Sequence, residues 1–193
     1  MEWWGYLIIG IVALVVIIAI GIIAWVISVY NNFIRMRNNV DEAFSTMDVY
    51  MKKRYDLIPN LVETVKGYAK HESETLEKVI SARNLALNSA SQEEQIKNEK
   101  SLSSALKTLF NVVVEKYPEL KANQNFIELQ NSLKSIEAEI ANSRKYYNGT
   151  VKVYNVKREV FPSNIIANMY KFEKKPLYEI TNEQEREGVK VQF

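Results

Sequence analysis

The chain has 193 residues, no cysteine, 25 Lys+Arg against 23 Asp+Glu, and a formal net charge of +2. Without cysteine there are no disulfides and no thiolate metal sites, and so even a charge balance leaves no basic face to bind nucleic acid. Glycine (6) and proline (4) are scarce, which favours long helices over a turn-rich β fold.

Hydrophobicity is concentrated at the start. Residues 7–27 are uncharged and overwhelmingly aliphatic, and about 20 such residues cross a ~30 Å hydrocarbon core. Trp3, Trp4 and Tyr6 stand at one end and Trp25 and Tyr30 at the other, where amphipathic rings suit the two headgroup layers. Glu2 replaces the basic start of a secretory signal, and no small-residue cleavage site follows. The segment therefore reads as an uncleaved transmembrane anchor, residues 1–30. No basic residue precedes it, whereas Arg35, Arg37, Lys52, Lys53 and Arg54 follow. The positive-inside rule then puts the N-terminus outside and the body in the cytoplasm. Gly10, Ala13, Gly21, Ala24 and Ser28 share one face of the span. Such a stripe either packs against another membrane helix, of a partner protein or a second copy, or is the ordinary Gly and Ala content of a span.

Residues 31–172 read as an antiparallel four-helix bundle of long helices packed in coiled-coil fashion. Val40, Ala43, Phe44, Met47, Tyr50 and Met51 form the first apolar stripe. Pro59 is expected to break that helix near residues 56–58, with Asp56 capping the next, because proline lacks a donor and disfavours helix before it. Leu61 and Val65 enter with an offset, and the second stripe runs on through Tyr68, Leu76, Val79, Arg83 and Ala86 to a polar turn at residues 88–91. The third stripe, from Leu102 to Tyr117, is closed by Pro118. The fourth is Phe126, Leu129, Leu133, Ile136, Ile140, Tyr147, Val151 and Tyr154. It keeps helical phase across Asn148-Gly149, a pair that otherwise signals a hairpin. Asn148-Gly149-Thr150 also fits a glycosylation sequon, a chance match in a cytoplasmic body. Ser163 is expected to cap a short helix bearing Ile165, Ile166, Met169 and Phe172, a lid on the bundle or a surface-lying segment. Residues 173–193 read as a charged tail without regular structure, whose last apolar residues, Val189, Val191 and Phe193, are available to dock.

The run Arg54-Tyr55-Asp56-Leu57-Ile58-Pro59-Asn60-Leu61-Val62 closely resembles the signature of the LemA family. Tyr30-Asn31-Asn32, Asp41-Glu42-Ala43-Phe44, Gly67-Tyr68-Ala69-Lys70-His71-Glu72 and Phe161-Pro162-Ser163-Asn164-Ile165-Ile166-Ala167 resemble its other markers, in the same order, and residues 189–193 are similar to its usual terminus. The resemblance implies a bacterial, N-out, membrane-anchored four-helix bundle with no established biochemical role. Its members' frequent company of membrane metalloproteases and other quality-control proteins is an association only.

His71 is the single histidine, and neither a catalytic partner nor further metal ligands accompany it in sequence. No phosphate loop, nucleophile elbow or HExxH motif occurs. No enzyme, cofactor or metal is therefore expected. Arg54, Asp56, Pro59 and Asn60 bracket the expected break and are either a recognition surface or the braces of two helix ends. The function expected is a protein-interaction or scaffold module at the cytoplasmic face of the membrane, the bilayer being one partner. The alternative is a bundle that senses a small ligand or lipid through its aromatic stripes.

Overall fold

The computed structural model describes residues 3–69 and 71–178, and every regular element among them is helical. These are α1 (Trp3–Lys66), α2 (Ser73–Leu87), α3 (Gln92–Lys116), α4 (Pro118–Lys121), α5 (Gln124–Glu159) and α6 (Ser163–Met169). By its compactness the chain divides into one unit of Met1–Glu42 with Gly149–Lys175 and another of Ala43–Asn148 with Pro176–Phe193.

The largest departure from expectation is α1, which runs unbroken through Pro59. Buried positions recur at Val40, Ala43, Phe44, Met47, Met51, Tyr55, Ile58, Leu61, Val62 and Val65, so the apolar face has no offset. Buried Tyr55 and Ile58 bridge the interval between the expected two stripes. Continuous burial of one face outweighs the local preference of proline. Pro59 itself lies on the exposed side. The chain reverses later: Gly67 donates to Glu63, Tyr68 and Ala69 both donate to the Val65 carbonyl, and α2 begins at Ser73. Asp56 is thus an exposed mid-helix residue and not a cap. The expected second stripe is shared between α1 and α2, with the Tyr68 side chain exposed in the turn.

The second unit has a core built from the apolar faces of α1, α2, α3 and α5, including Met47, Leu61, Val79, Leu102, Leu109 and Phe126. The polar turn at 88–91 starts α3 cleanly: the Ser91 hydroxyl accepts from the Glu94 amide at 3.2 Å, and the Glu94 carboxylate accepts from the Ala90 amide at 2.9 Å. Asn123 caps α5 through the Phe126 amide at 3.1 Å. Its α5 passes through Asn148-Gly149 as the phase of its stripe requires. A Cβ added at Gly149 would meet nothing within 4 Å, so this glycine answers no packing need.

In the first unit, Phe33 stacks on Phe172 at 4.8 Å between ring centroids and meets Tyr154 edge-on at 6.2 Å. Ser163 does not cap α6. It is the first residue of that helix, and its hydroxyl faces back to the Lys157 and Val160 carbonyls at 2.6 and 3.0 Å, closing the end of α5.

Residues 172–178 contain no regular element but are firmly held. In the first unit, Arg158 donates to the Phe172 carbonyl, Tyr154 to that of Glu173, and Asn155 both donates to and accepts from the Lys175 backbone. In the second, Tyr147 donates to the Pro176 carbonyl, and Asn148 both donates to and accepts from Tyr178. A Tyr-Asn pair does this twice, seven residues apart on α5, for backbone groups three residues apart on the strap. The expected irregular tail is accordingly a strap as far as residue 178. The apolar end at residues 189–193 lies outside the described residues.

Candidate functional site: a buried arginine on the first helix

Four residues were singled out around Pro59, and they part company in space. Asp56, Pro59 and Asn60 face outward, while Arg54 is 1% exposed. Its position, one turn from Met51 and one from Ile58, puts a guanidinium on the apolar face of α1.

The charge is answered from two other helices of the same unit. On α3, Glu99 is 0% exposed; its Oε2 pairs with Arg54 Nη2 and its Oε1 accepts from the Tyr55 hydroxyl. Arg54 Nη1 donates to Ser103 Oγ at 3.1 Å and to Glu137 of α5, which is half exposed. Nearby, Gln95 of α3 donates to Asp48 of α1 at 2.7 Å. Residues 48 and 54 on α1 thus meet 95 and 99 on α3 in the same order, so these two helices run parallel. Phe44 packs on Tyr147 of α5 at 5.6 Å while Arg54 meets Glu137, so α1 and α5 run antiparallel.

Burying an ion pair costs both partners their hydration. The return in stability is small, but removing one partner leaves a bare charge and is severe. Here the pair ties α1 to α3 and, through Glu137, to α5. Burial also raises the Tyr55 phenol above its ordinary value, so it stays a neutral donor to Glu99.

Pro59 has a separate counterpart. A residue with an amide there would donate to the carbonyl of Tyr55, four residues back. That carbonyl instead accepts from Arg83 Nε of α2 at 2.7 Å. The same Arg83 reaches Asn84 with Nη1 at 3.1 Å.

Glu99 and the bracing role of Arg83 escaped the sequence reading. Glu99 had a signal, since it sits in phase with Ile96, Leu102, Leu106 and Leu109, and an acid on an apolar stripe calls for a buried cation. For Arg83 there was none, because nothing local pairs it with a carbonyl on another helix.

The small-residue stripe at the start of α1 is open. Gly10, Ala13, Gly21, Ala24 and Ser28 are exposed, and a Cβ added at Gly10 or Gly21 would meet nothing within 4 Å. His71 is exposed in the turn after α1.

A family model described as LemA family matches residues 43–193, a segment that contains Arg54, Pro59, Arg83 and Glu99. The chain belongs to the LemA family. It is also similar to the protein described as Protein LemA from Metamycoplasma hominis, at 26% identity over 152 residues, covering 78% of this chain and 69% of that one. The family match begins where the second compact unit begins, at residue 43, beyond the apolar start of α1. The first part of α1 makes it the one helix among the described residues long and apolar enough to cross a membrane. The arginine cluster therefore belongs to the LemA-type body.

Proposed function

We propose that this LemA-family protein is a single-pass membrane protein without enzymatic activity, acting as an interaction or scaffold module at the cytoplasmic face. In this reading residues 7–27 cross the bilayer with the N-terminus outside, and the body is an antiparallel four-helix bundle that engages a membrane-protein partner or a second copy.

One observation carries it. From residue 3 to 25 every side chain of α1 is exposed and most are large and aliphatic, yet the same helix continues into a packed body. Exposing that much apolar surface to water would cost about 25 cal/mol per Å², so lipid is its natural surrounding. All 25 basic residues lie beyond the span, which favours a cytoplasmic body. Parallel α1 and α3, with α5 antiparallel to α1, agree with up-and-down bundle topology. The exposed glycine stripe is suited to close helix contact within the membrane.

Because the chain has no cysteine, single thiols report topology directly. In whole cells, a Gly5→Cys variant is expected to react with a membrane-impermeant maleimide, and an Ala90→Cys variant only after lysis. The reverse pattern would overturn the orientation. Crosslinking in intact membranes, followed by purification in detergent, is expected to recover a defined membrane protein or a dimer. Recovery of uncrosslinked monomer alone would remove the scaffold reading.

A further inference from the structure

Helix α6 carries apolar residues on two opposite faces. Ile166 and Ala167 are buried in the first unit. Ile165 and Met169, one helical turn apart, share its outer face, where they are 53% and 57% exposed, and Phe161 in the turn just before α6 is 79% exposed. Tyr170 beside them is 49% exposed. Covering side chains of this size removes a large apolar area from water. A contiguous outward face of this kind therefore marks a contact surface.

The surroundings say what covers it. The Tyr30 ring packs on Tyr170 at 4.7 Å and on Phe172 at 5.8 Å between centroids, which fixes the end of α6 beside the start of the body. Tyr30 lies three residues past Ile27, the end of the apolar run, or about 4.5 Å along the helix axis. The headgroup layer on each side of the hydrocarbon core is about 5–7 Å thick. If α1 spans the bilayer, α6 is therefore held at headgroup depth. Exposed Arg35 and Arg37, about 7.5 and 10.5 Å beyond Tyr30 along α1, and exposed Lys171 after α6 add positive charge on the side of the body. Of the acids in this region, Glu159 pairs with Lys174 at 3.1 Å and Asp41 with Lys175 at 2.9 Å, while Glu173 is exposed. Apolar side chains below a basic rim match the boundary between acyl chains and anionic headgroups.

We propose that α6 is a second membrane contact, with Phe161, Ile165 and Met169 seated in the headgroup–acyl boundary of the leaflet from which α1 emerges. The inference rests on the reading of α1 as a span, and it adds a monotopic element that keeps the first unit against the bilayer surface.

The test uses the full chain in vesicles of phosphatidylcholine and phosphatidylglycerol. Single cysteines replace Ile165, Met169, Val15 or Ala90, all exposed positions, and each carries an environment-sensitive fluorophore; unchanged circular dichroism shows the fold is kept. Lipids brominated near the headgroup are expected to remove most of the emission from labels at 165 and 169, and deeply brominated lipids that from 15. The label at 90 is expected to stay bright with both. If 15 is quenched while 165 and 169 remain as bright as 90, the inference is overturned and the anchor stands. If 15 is not quenched either, the spanning reading falls and takes the inference with it. Energy transfer between labels at 165 on different molecules, without quenching by lipid, would assign the face to a second copy and overturn the membrane contact.

Discussion

Arg83 on α2 donates a 2.7 Å hydrogen bond from Nε to the carbonyl of Tyr55, the acceptor that Pro59 leaves without its helical donor. A proline in the middle of a long helix thus becomes a point at which the neighbouring helix is tied on. The interior defect and the inter-helix contact are one device.

This relationship makes a double-mutant cycle informative. Arg83→Ala alone is expected to cost about 1–2 kcal/mol, since the Tyr55 carbonyl loses its partner. Pro59→Ala alone restores an amide in a helix interior, where proline costs up to about 3 kcal/mol, and is expected to raise the melting temperature in detergent. In the Pro59→Ala background the penalty of Arg83→Ala is expected to shrink. A Pro59→Ala protein that melts lower than the parent would restore the turn that the sequence suggested.

The arginine cluster predicts unequal costs for two acids bound to one guanidinium. Glu99→Gln is expected to destabilise by about 3–5 kcal/mol, because only the half-exposed Glu137 is left to answer the buried guanidinium. Glu137→Gln, at a side chain 53% exposed, is expected to cost less than about 1 kcal/mol. Replacing both buried partners with apolar residues (Arg54→Met with Glu99→Leu) is expected to recover much of the first loss. Denaturant unfolding of the four proteins measures this, and equal costs for the two glutamates would refute the burial argument.

Burial raises the phenols of Tyr55, Tyr154 and Tyr178 above their ordinary value. A raised acid binds its proton more tightly in the folded state. Its contribution is therefore complete below the unfolded tyrosine pKa of about 10 and is lost as pH rises through the folded value. Stability is expected to be level in this respect at neutral pH and to fall steeply above pH ~10. Melts across the alkaline range on the parent and on Tyr178→Phe check it. The variant should lose less stability over that range than the parent does.

The strap gives a local prediction. Asn155→Ala removes both partners of the Lys175 backbone, at about 1–3 kcal/mol for each group left unpaired. Hydrogen exchange of a peptide covering residues 172–175 is expected to accelerate, with α2 and α3 unchanged. Uniform acceleration everywhere would mean that Asn155 supports the whole fold instead of one segment.

Much of this protein is legible without coordinates. The all-helical class follows from apolar period, scarce glycine and scarce proline, and the apolar start of α1 from composition alone. Continuity of α5 through Asn148-Gly149 follows because an unbroken stripe outweighs one costly glycine. These features are written in residues close together in the chain, where period and propensity act.

The course of α1 through Pro59 was decided by tertiary structure. Proline's local preference is to break a helix. Burial of Ile58, Leu61, Val62 and Val65, with a donor arriving from Arg83, reverses it. Which residues of the signature segment turn inward was likewise undecidable locally. Arg54 turns inward because Glu99, 45 residues away, supplies the opposite charge at the same level of the core, while Asp56 and Asn60 stay in water. The strap at 172–178 has no periodic pattern of its own. It is ordered by hydrogen bonds from the Tyr-Asn pairs of α5, partners that lie 19 to 30 residues away in the chain.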